Sequence, residues 1–366
     1  MSTFCIAGFG EVMLRLAPEG KGRLFQALPG TLKATFGGGE ANVCAEVAML
    51  GGSSRYLTAL PDNAIARCCA AELRSLGCDV SHIRYTSGGR MGLYYIEHGS
   101  IMRGSSVLYD REGSVIATLP PAEYDFRAML AGVTHLHLTG ITPSLSRTAF
   151  ESTLAIATTA SEMGISISVD LNYRKKLWNW EPGTPKNLLA RRCMEQIVAL
   201  ADTIIGNEED ASDVFGISAP GSSVESGHLN LQGYQEVAST LASRFPKARH
   251  IAITLRESLS ADVNRWGGML FDCAGKTAHF APVDEEGNYA PYQLTHIVDR
   301  FGGGDSFCGG LLFALNTPEL ATPEQAIRFA VAASALKHTI QGDYNRVTLD
   351  EVKNLMKGSV SGRVQR

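Results

Sequence analysis

Four stretches of the chain share one pattern, a short aliphatic and β-branched run that ends in polar residues. They are VTHLHLTG (133–140), GISISVDLNY (164–173), ADTIIGNEED (201–210) and RHIAITLRES (249–258). Each is too short for a helix and reads as a buried strand. Between them lie stretches of helical spacing, such as SRTAFESTLAIATTASEMG (146–164) and GYQEVASTLASRF (233–245). Strands that alternate with helices imply parallel pairing and right-handed crossovers, hence a layered α/β sheet. In such sheets ligands collect at the carboxyl ends of the strands, so the polar tails are candidate site residues.

Two regions break the alternation. Residues 11–35 and about 89–118 carry strand-like patterning with glycines and few helical signals. They predict a small antiparallel appendage, a lid over the main sheet, within a single domain spanning residues 1–366. The stretch SAPGSSVESGHLNLQG (218–233) reads as a surface loop. Composition alters this picture little. At 366 residues, 45% hydrophobic, 19% charged and a net charge of −4, the chain suits one large globular domain. The near-neutral balance argues against nucleic-acid or membrane-surface partners. No run reaches the roughly 18 apolar residues of a membrane span, and the first 20 residues lack a signal-peptide pattern. Eight scattered cysteines without a C-x-x-C pair predict reduced thiols in a cytoplasmic protein.

Three motifs fail on inspection. AGKT (274–277) lacks the P-loop glycine, since Leu270 stands in its place, and reads as a hairpin turn. GFGEVM (8–13) has Met13 where a dinucleotide fingerprint needs its third glycine. His135 and His137 share a strand face, but no third zinc ligand is close in sequence.

The tetrapeptide FGGG occurs twice, each time followed by an acid: Glu40 in FGGGEANVC (36–44) and Asp305 in FGGGDSFCGG (301–310). In the second copy Gly302, Gly303 and Gly304 precede an apolar helix whose first turn holds Asp305. Free amides and the positive end of a helix dipole make an anion site. An Asp there repels an anion, so binding alone does not account for it. It fits a base that removes a proton from an attacking hydroxyl while the amides hold the developing charge, as in phosphoryl transfer. On this stretch alone, Asp305 as a plain helix cap is the alternative.

Asp299, Gly302, Gly304, Asp305, Ser306 and Phe307 form a D-x-x-G-x-G-D pattern followed by a small residue and Phe. This resembles the C-terminal signature of the ribokinase-like, PfkB-type carbohydrate kinases. The segment 36–80 is similar to that family's N-terminal signature, so the resemblance covers nearly the whole chain. It implies a three-layer α/β sandwich with a mostly parallel central sheet and a small β-sheet lid, and ATP with Mg²⁺ as co-substrate and cofactor. It implies Asp305 as catalytic base, Gly302 to Gly304 as anion hole and Asp299 as support for that loop on the nucleotide side. GNEED (206–210) sits at the family's N-x-x-E motif: Asn207 matches, and Asp210 replaces the Glu that organises Mg²⁺ through water. Thr254 and Arg256, at a strand end, become nucleotide contacts. Val331 stands where ribokinases tend to carry an Asn near the adenine, which leaves purine discrimination weakly specified.

By the same resemblance the first glycine run faces the acceptor. Backbone at Gly37 and Gly38 would approach the sugar and Asn42 would bond a sugar hydroxyl, unless Asn42 merely opens its helix. The segments 92–114 and 169–180 place arginine beside tyrosine, as Tyr109–Asp110–Arg111 and Tyr173–Arg174. Arginine supplies the bidentate fork that a carboxylate takes. These segments look like those of 2-keto-3-deoxygluconate kinases, with Tyr94, Tyr109, Arg111 and Arg174 matching substrate-contacting positions. The alternatives are surface or salt-bridging arginines, a kinase for fructose or 2-keto-3-deoxygalactonate, and a sugar-binding regulator without turnover. A homodimer through the lid is the expected assembly.

Overall fold

In the computed structural model, which describes residues 4–207, 209–218 and 230–358, the main sheet has nine strands. From one edge run Ser53–Leu57, Cys5–Phe9, His135–Thr139, Ser166–Asp170, Thr203–Gly206 and His250–Ser258, all parallel. Asn264–Asp272 then runs antiparallel to His250–Ser258, and Thr277–Ala281 and Tyr292–Leu294 both pair antiparallel with it. The four runs that opened the sequence reading are the adjacent central strands. AGKT forms the turn between Asn264–Asp272 and Thr277–Ala281.

Both faces of this sheet are covered, which is why its strands read as continuous apolar runs rather than alternating ones. Successive residues point to opposite sides. Ile204 packs with the helices Arg147–Glu162, Lys186–Val198 and Leu231–Arg244 on one face. Its neighbour Ile205 packs with Gly39–Met49, Gly303–Leu315 and Pro323–Lys337 on the other. Val331 is fully buried in this second layer. Half of the described α-helices start on a side-chain cap: Ser146 Oγ accepts from Ala149 N at 2.9 Å, and Thr322 caps the helix that has Pro323 at its first position. Gly303–Leu315 instead follows Gly302 in the left-handed region (φ 79°) and has no side-chain cap. Its first-turn amides are therefore left for something else.

A separate four-stranded sheet is built from Lys33–Gly37, Met13–Ala17, Gly92–Glu97 and Ser106–Asp110, in that order. It is not wholly antiparallel, as the sequence predicts. Its two outer pairs are, but its central pair, Met13–Ala17 with Gly92–Glu97, is parallel. The two segments that supply it are separated by two helices and other strands, so the chain returns in the same direction. Of the expected loop 218–233, positions 219–229 lie outside the described residues, and 231–233 already belong to the helix Leu231–Arg244. Among the described residues no helix is long and apolar enough to cross a membrane.

Candidate active site

The two FGGG segments meet. The helices Gly39–Met49 and Gly303–Leu315 pack together with their first turns adjoining. Asn42, in the first turn of one, donates from Nδ2 to Asp305 Oδ2 in the first turn of the other at 2.5 Å. A Cβ placed on Gly39 would stand only 3.7 Å from Asp305 Oδ1. Asn42 Oδ1 also accepts from Gly38 N at 3.3 Å. Asn42 thus does more than open its helix: it holds the carboxylate that the second glycine run presents.

Asp305 borders two cavities at once. The larger, about 360 Å³, lies at the carboxyl ends of the central strands and is lined by Asp170, Asn207, Asp210, Thr254, Arg256, Arg300 and Gly302 to Gly304, among others. The smaller, about 110 Å³, lies under the four-stranded sheet and is lined by Glu11, Gly37, Gly38, Asn42, Tyr94, Tyr109, Arg111 and Asp343. Asn172, Arg174, Phe301, Gly302 and Asp305 border both. In the first turn of Gly303–Leu315, the amide of Gly303 donates to Arg300 O at 3.3 Å. The next two, of Gly304 and Asp305, have no partner among the described residues, and both residues line the larger cavity. This is the arrangement of an anion site.

The charges around the larger cavity are unbalanced. Loss of water at the cavity floor pushes the Asp305 carboxyl up to about 6, against the Asn42 hydrogen bond, with Asp343 adding to the rise. Burial also raises Asp170 well above the carboxylate range, helped by repulsion from Asp210 and Asp305, and burial raises Asp210. Three carboxylates line this cavity, but among the described residues no three acidic, His or Cys groups stand close enough to hold a metal directly, so a divalent cation here would be met through water. On the opposite wall, burial lowers the Arg300 guanidinium, with Arg256 of the same sign as the next cause. Two arginines beside free helix amides suit a polyanion.

Of the residues to which the sequence assigned a catalytic, substrate, nucleotide or metal role, all but Asp299 line one cavity or both. Several do so for reasons the sequence did not give. Asp299 is buried beneath the glycine loop, where its carboxylate accepts from Phe301 N at 3.1 Å and from Gly342 N at 3.0 Å. Asn207 Oδ1 accepts from the amides of Glu209 and Asp210 at 2.8 and 3.0 Å, capping a short helix. Asp210 in turn accepts from Tyr173 N and Asn207 N, one amide per oxygen. Both of its oxygens are thus engaged by backbone amides. Close approach at Gly37 and Gly38 is by the protein itself. A Cβ on Gly37 would meet Tyr94 Oη at 2.4 Å, and one on Gly38 would meet Glu11 O at 2.1 Å.

The two arginines part company. Arg111 is buried and ion-paired with Glu11, with its Nε left unpartnered, so the salt-bridging alternative describes it in part. Arg174 is exposed at the mouth of both cavities. Its Nη1 donates to Tyr173 O at 3.1 Å, and it has no carboxylate partner among the described residues. Tyr94 and Tyr109 stand opposite each other on paired strands with stacked rings. Glu40, after the first FGGG, is structural: fully enclosed, it accepts from Thr139 N and Oγ1 at 3.1 and 2.8 Å, and burial pushes it up to about 7.

Sequence reasoning missed Arg15, Arg300 and Asp343, and gave Asp170 and Asn172 no individual role. Asp170 and Asn172 lie in a strand's polar tail, where a signal existed. Asn172 holds φ at 40°, an uncommon backbone state for a residue with a side chain, and donates to Asp170 Oδ2 at 3.1 Å.

Residues 6–244 match the model of the pfkB family carbohydrate kinases. The chain is 31% identical to a 2-dehydro-3-deoxygalactonokinase from Haloferax volcanii over 354 residues, which is 97% of each chain. It is 31% identical to a 2-dehydro-3-deoxygluconokinase from Bacillus subtilis over 306 residues, covering 83% of this chain and 81% of the relative. The crystal structure of a 2-dehydro-3-deoxygluconokinase from Thermotoga maritima superposes with a TM-score of 0.86 at 35% identity, covering 97% of this chain and 98% of the other. The mostly parallel sheet and the second small sheet are those of this ribokinase-like fold, and the chain belongs to the pfkB family of carbohydrate kinases.

Proposed function

We propose that the protein transfers the γ-phosphoryl group of ATP to a hydroxyl of 2-keto-3-deoxygluconate. The observation that carries this reading is Asp305 at the junction of the two cavities, with free helix amides on one side and an arginine-lined pocket on the other. Asp305 takes the proton of the acceptor hydroxyl. The amides of Gly304 and Asp305, at the positive end of their helix, hold charge on the transferring group. Mg²⁺, when bound near Asp170 and Asp210, would neutralise phosphate charge. Arg174 supplies the fork for the acceptor's carboxylate, with Arg111 lending the part of its guanidinium that Glu11 leaves open. Asn42 keeps Asp305 aimed. The substrate class is also supported by the relatives named for 2-keto-3-deoxy sugar acids. A panel of sugars and sugar acids with ATP, read by coupled ADP release, tests it. Turnover confined to neutral sugars would overturn the acid-specific reading.

Arg174→Lys is expected to raise the KM for a sugar acid on the order of tenfold while leaving that for any neutral sugar nearly unchanged. Lysine keeps the charge but offers no planar fork. Equal effects on both classes would remove the carboxylate role. The pH profile follows from Asp305. Its folded-state value is raised to about 6, so the base form is present above that pH and is lost as pH falls through it. The kcat/KM profile should bend near pH 6 and fall about tenfold per unit below. A profile flat down to pH 5 would contradict the assignment.

Assembly through the small sheet fits its open edges. Lys33–Gly37 and Ser106–Asp110 are edge strands, and Phe25, Met102 and Leu108 stand exposed on this part of the chain. Sedimentation at micromolar concentration should find a homodimer, and a monomer alone would count against it.

A further inference from the structure

Arg15 sits in the middle of Met13–Ala17, a strand of the small sheet, yet it is only 2% exposed. The parallel register sets it directly beside Tyr94. Both side chains leave the small sheet and enter the main body. Arg15 forks between two carboxylates, donating from Nη2 to Asp299 at 2.5 Å and from Nη1 to Asp343. Tyr94 Oη donates to the other oxygen of Asp343 at 2.8 Å. His98, a third residue from the same side, accepts from Arg15 Nη2 at 3.2 Å.

The two residues whose carboxylates they reach also shape the glycine loop, Asp299 by its carboxylate and Asp343 by its backbone. Asp299 holds the amides of Phe301 and Gly342. Asp343 presses its carbonyl so close to Gly302 that a Cβ there would lie 2.1 Å from it. Burial disfavours the charge of Arg15, but Asp343 and Asp299 more than offset this and keep it a cation. Without that cation, the nearest remaining positive charge would be the buried Lys337, whose Nζ donates to Ile340 O and makes no ion pair with either carboxylate.

We infer that Arg15 is a positioning residue that makes the seating of the small sheet and the assembly of the phosphate loop one event. If the small sheet lifts, Arg15 leaves with it and the loop loses its support at both anchors. The acceptor binds under the sheet and the nucleotide at the loop, so occupancy of one site favours the other. The inference rests on the kinase reading above.

Arg15→Met and Arg15→Lys test it by two readouts. In ligand-free protein, hydrogen exchange of the Phe301 and Gly342 amides should speed up at least about tenfold in Arg15→Met. The central strand amides of Ile204 and Ala252 should keep their protection. Uniform change across the chain, or none at the loop, would overturn the inference. The second readout is the affinity for Mg²⁺ adenylyl imidodiphosphate with and without saturating 2-keto-3-deoxygluconate. The acceptor should tighten the nucleotide about fivefold or more in the native protein, less than twofold in Arg15→Met, and to an intermediate degree in Arg15→Lys. A native protein without coupling, or a folded Met variant that keeps it, would refute the proposal. Should Arg15→Met fail to fold, Arg15→Lys decides, since a point charge cannot satisfy both carboxylates. If the native protein binds neither ligand, the substrate reading fails, while the exchange readout still decides the role of Arg15.

Discussion

Asp305→Asn should lose on the order of 10² or more in turnover while acceptor binding stays within a few fold. The substitution keeps the shape and leaves an amide oxygen that can still accept from Asn42 Nδ2, so the contact between the two helices survives. What it removes is the basic oxygen at the boundary of the two cavities. The melting temperature should be unchanged or raised, because in the native protein the charged form is disfavoured by loss of water and by Asp343. A folded variant with near-normal turnover would remove Asp305 as base and favour a role as cap. A variant that loses acceptor binding to the same degree as turnover would make Asp305 a binding residue instead. A sugar-binding regulator has no need of the base, so the native turnover itself separates that alternative.

The architecture was legible where one physical signal acted alone. Strands buried on both faces must be apolar throughout, and the four runs that look so are the four adjacent central strands. The small sheet was legible as a departure from alternation, but not in its pairing. The parallel match of Met13–Ala17 with Gly92–Glu97 depends on how the intervening chain packs, which no local pattern records. The site divides in the same way. Asp305 could be found because an acid in the first turn beyond three glycines contradicts simple anion binding. Arg15 could not be assigned a role, since its partners lie 284 and 328 positions away. The only local hint was a charge inside the apolar strand MLRLA. Arg111 and Arg174 look alike in sequence, each beside a tyrosine. They differ because Glu11 happens to pair with one of them.

Gly302→Ala and Gly304→Ala should both abolish most turnover, by different routes that separate shape from chemistry. Gly302 holds φ at 79°, where a side chain is strained by roughly 1–2 kcal/mol. Its added Cβ would also lie 2.1 Å from the backbone oxygen of Asp343, an atom with no side-chain freedom to retreat. The alanine variant must move the loop away from Asp343 and so disturb the anchors on Arg15. It should lose both melting temperature and activity, the latter by about 10² or more. At Gly304 a Cβ meets nothing within 4 Å, and the residue is exposed to the larger cavity. Alanine is also a better helix former there than glycine, so Gly304→Ala should melt at the native temperature or slightly above. Its methyl would stand where the transferring group approaches the amides, and turnover should drop by a similar factor. Equal stability in the two variants would mean that the loop tolerates displacement from Asp343. Full activity in Gly304→Ala would mean that the phosphoryl group passes elsewhere, because no other obstacle separates that methyl from the cavity.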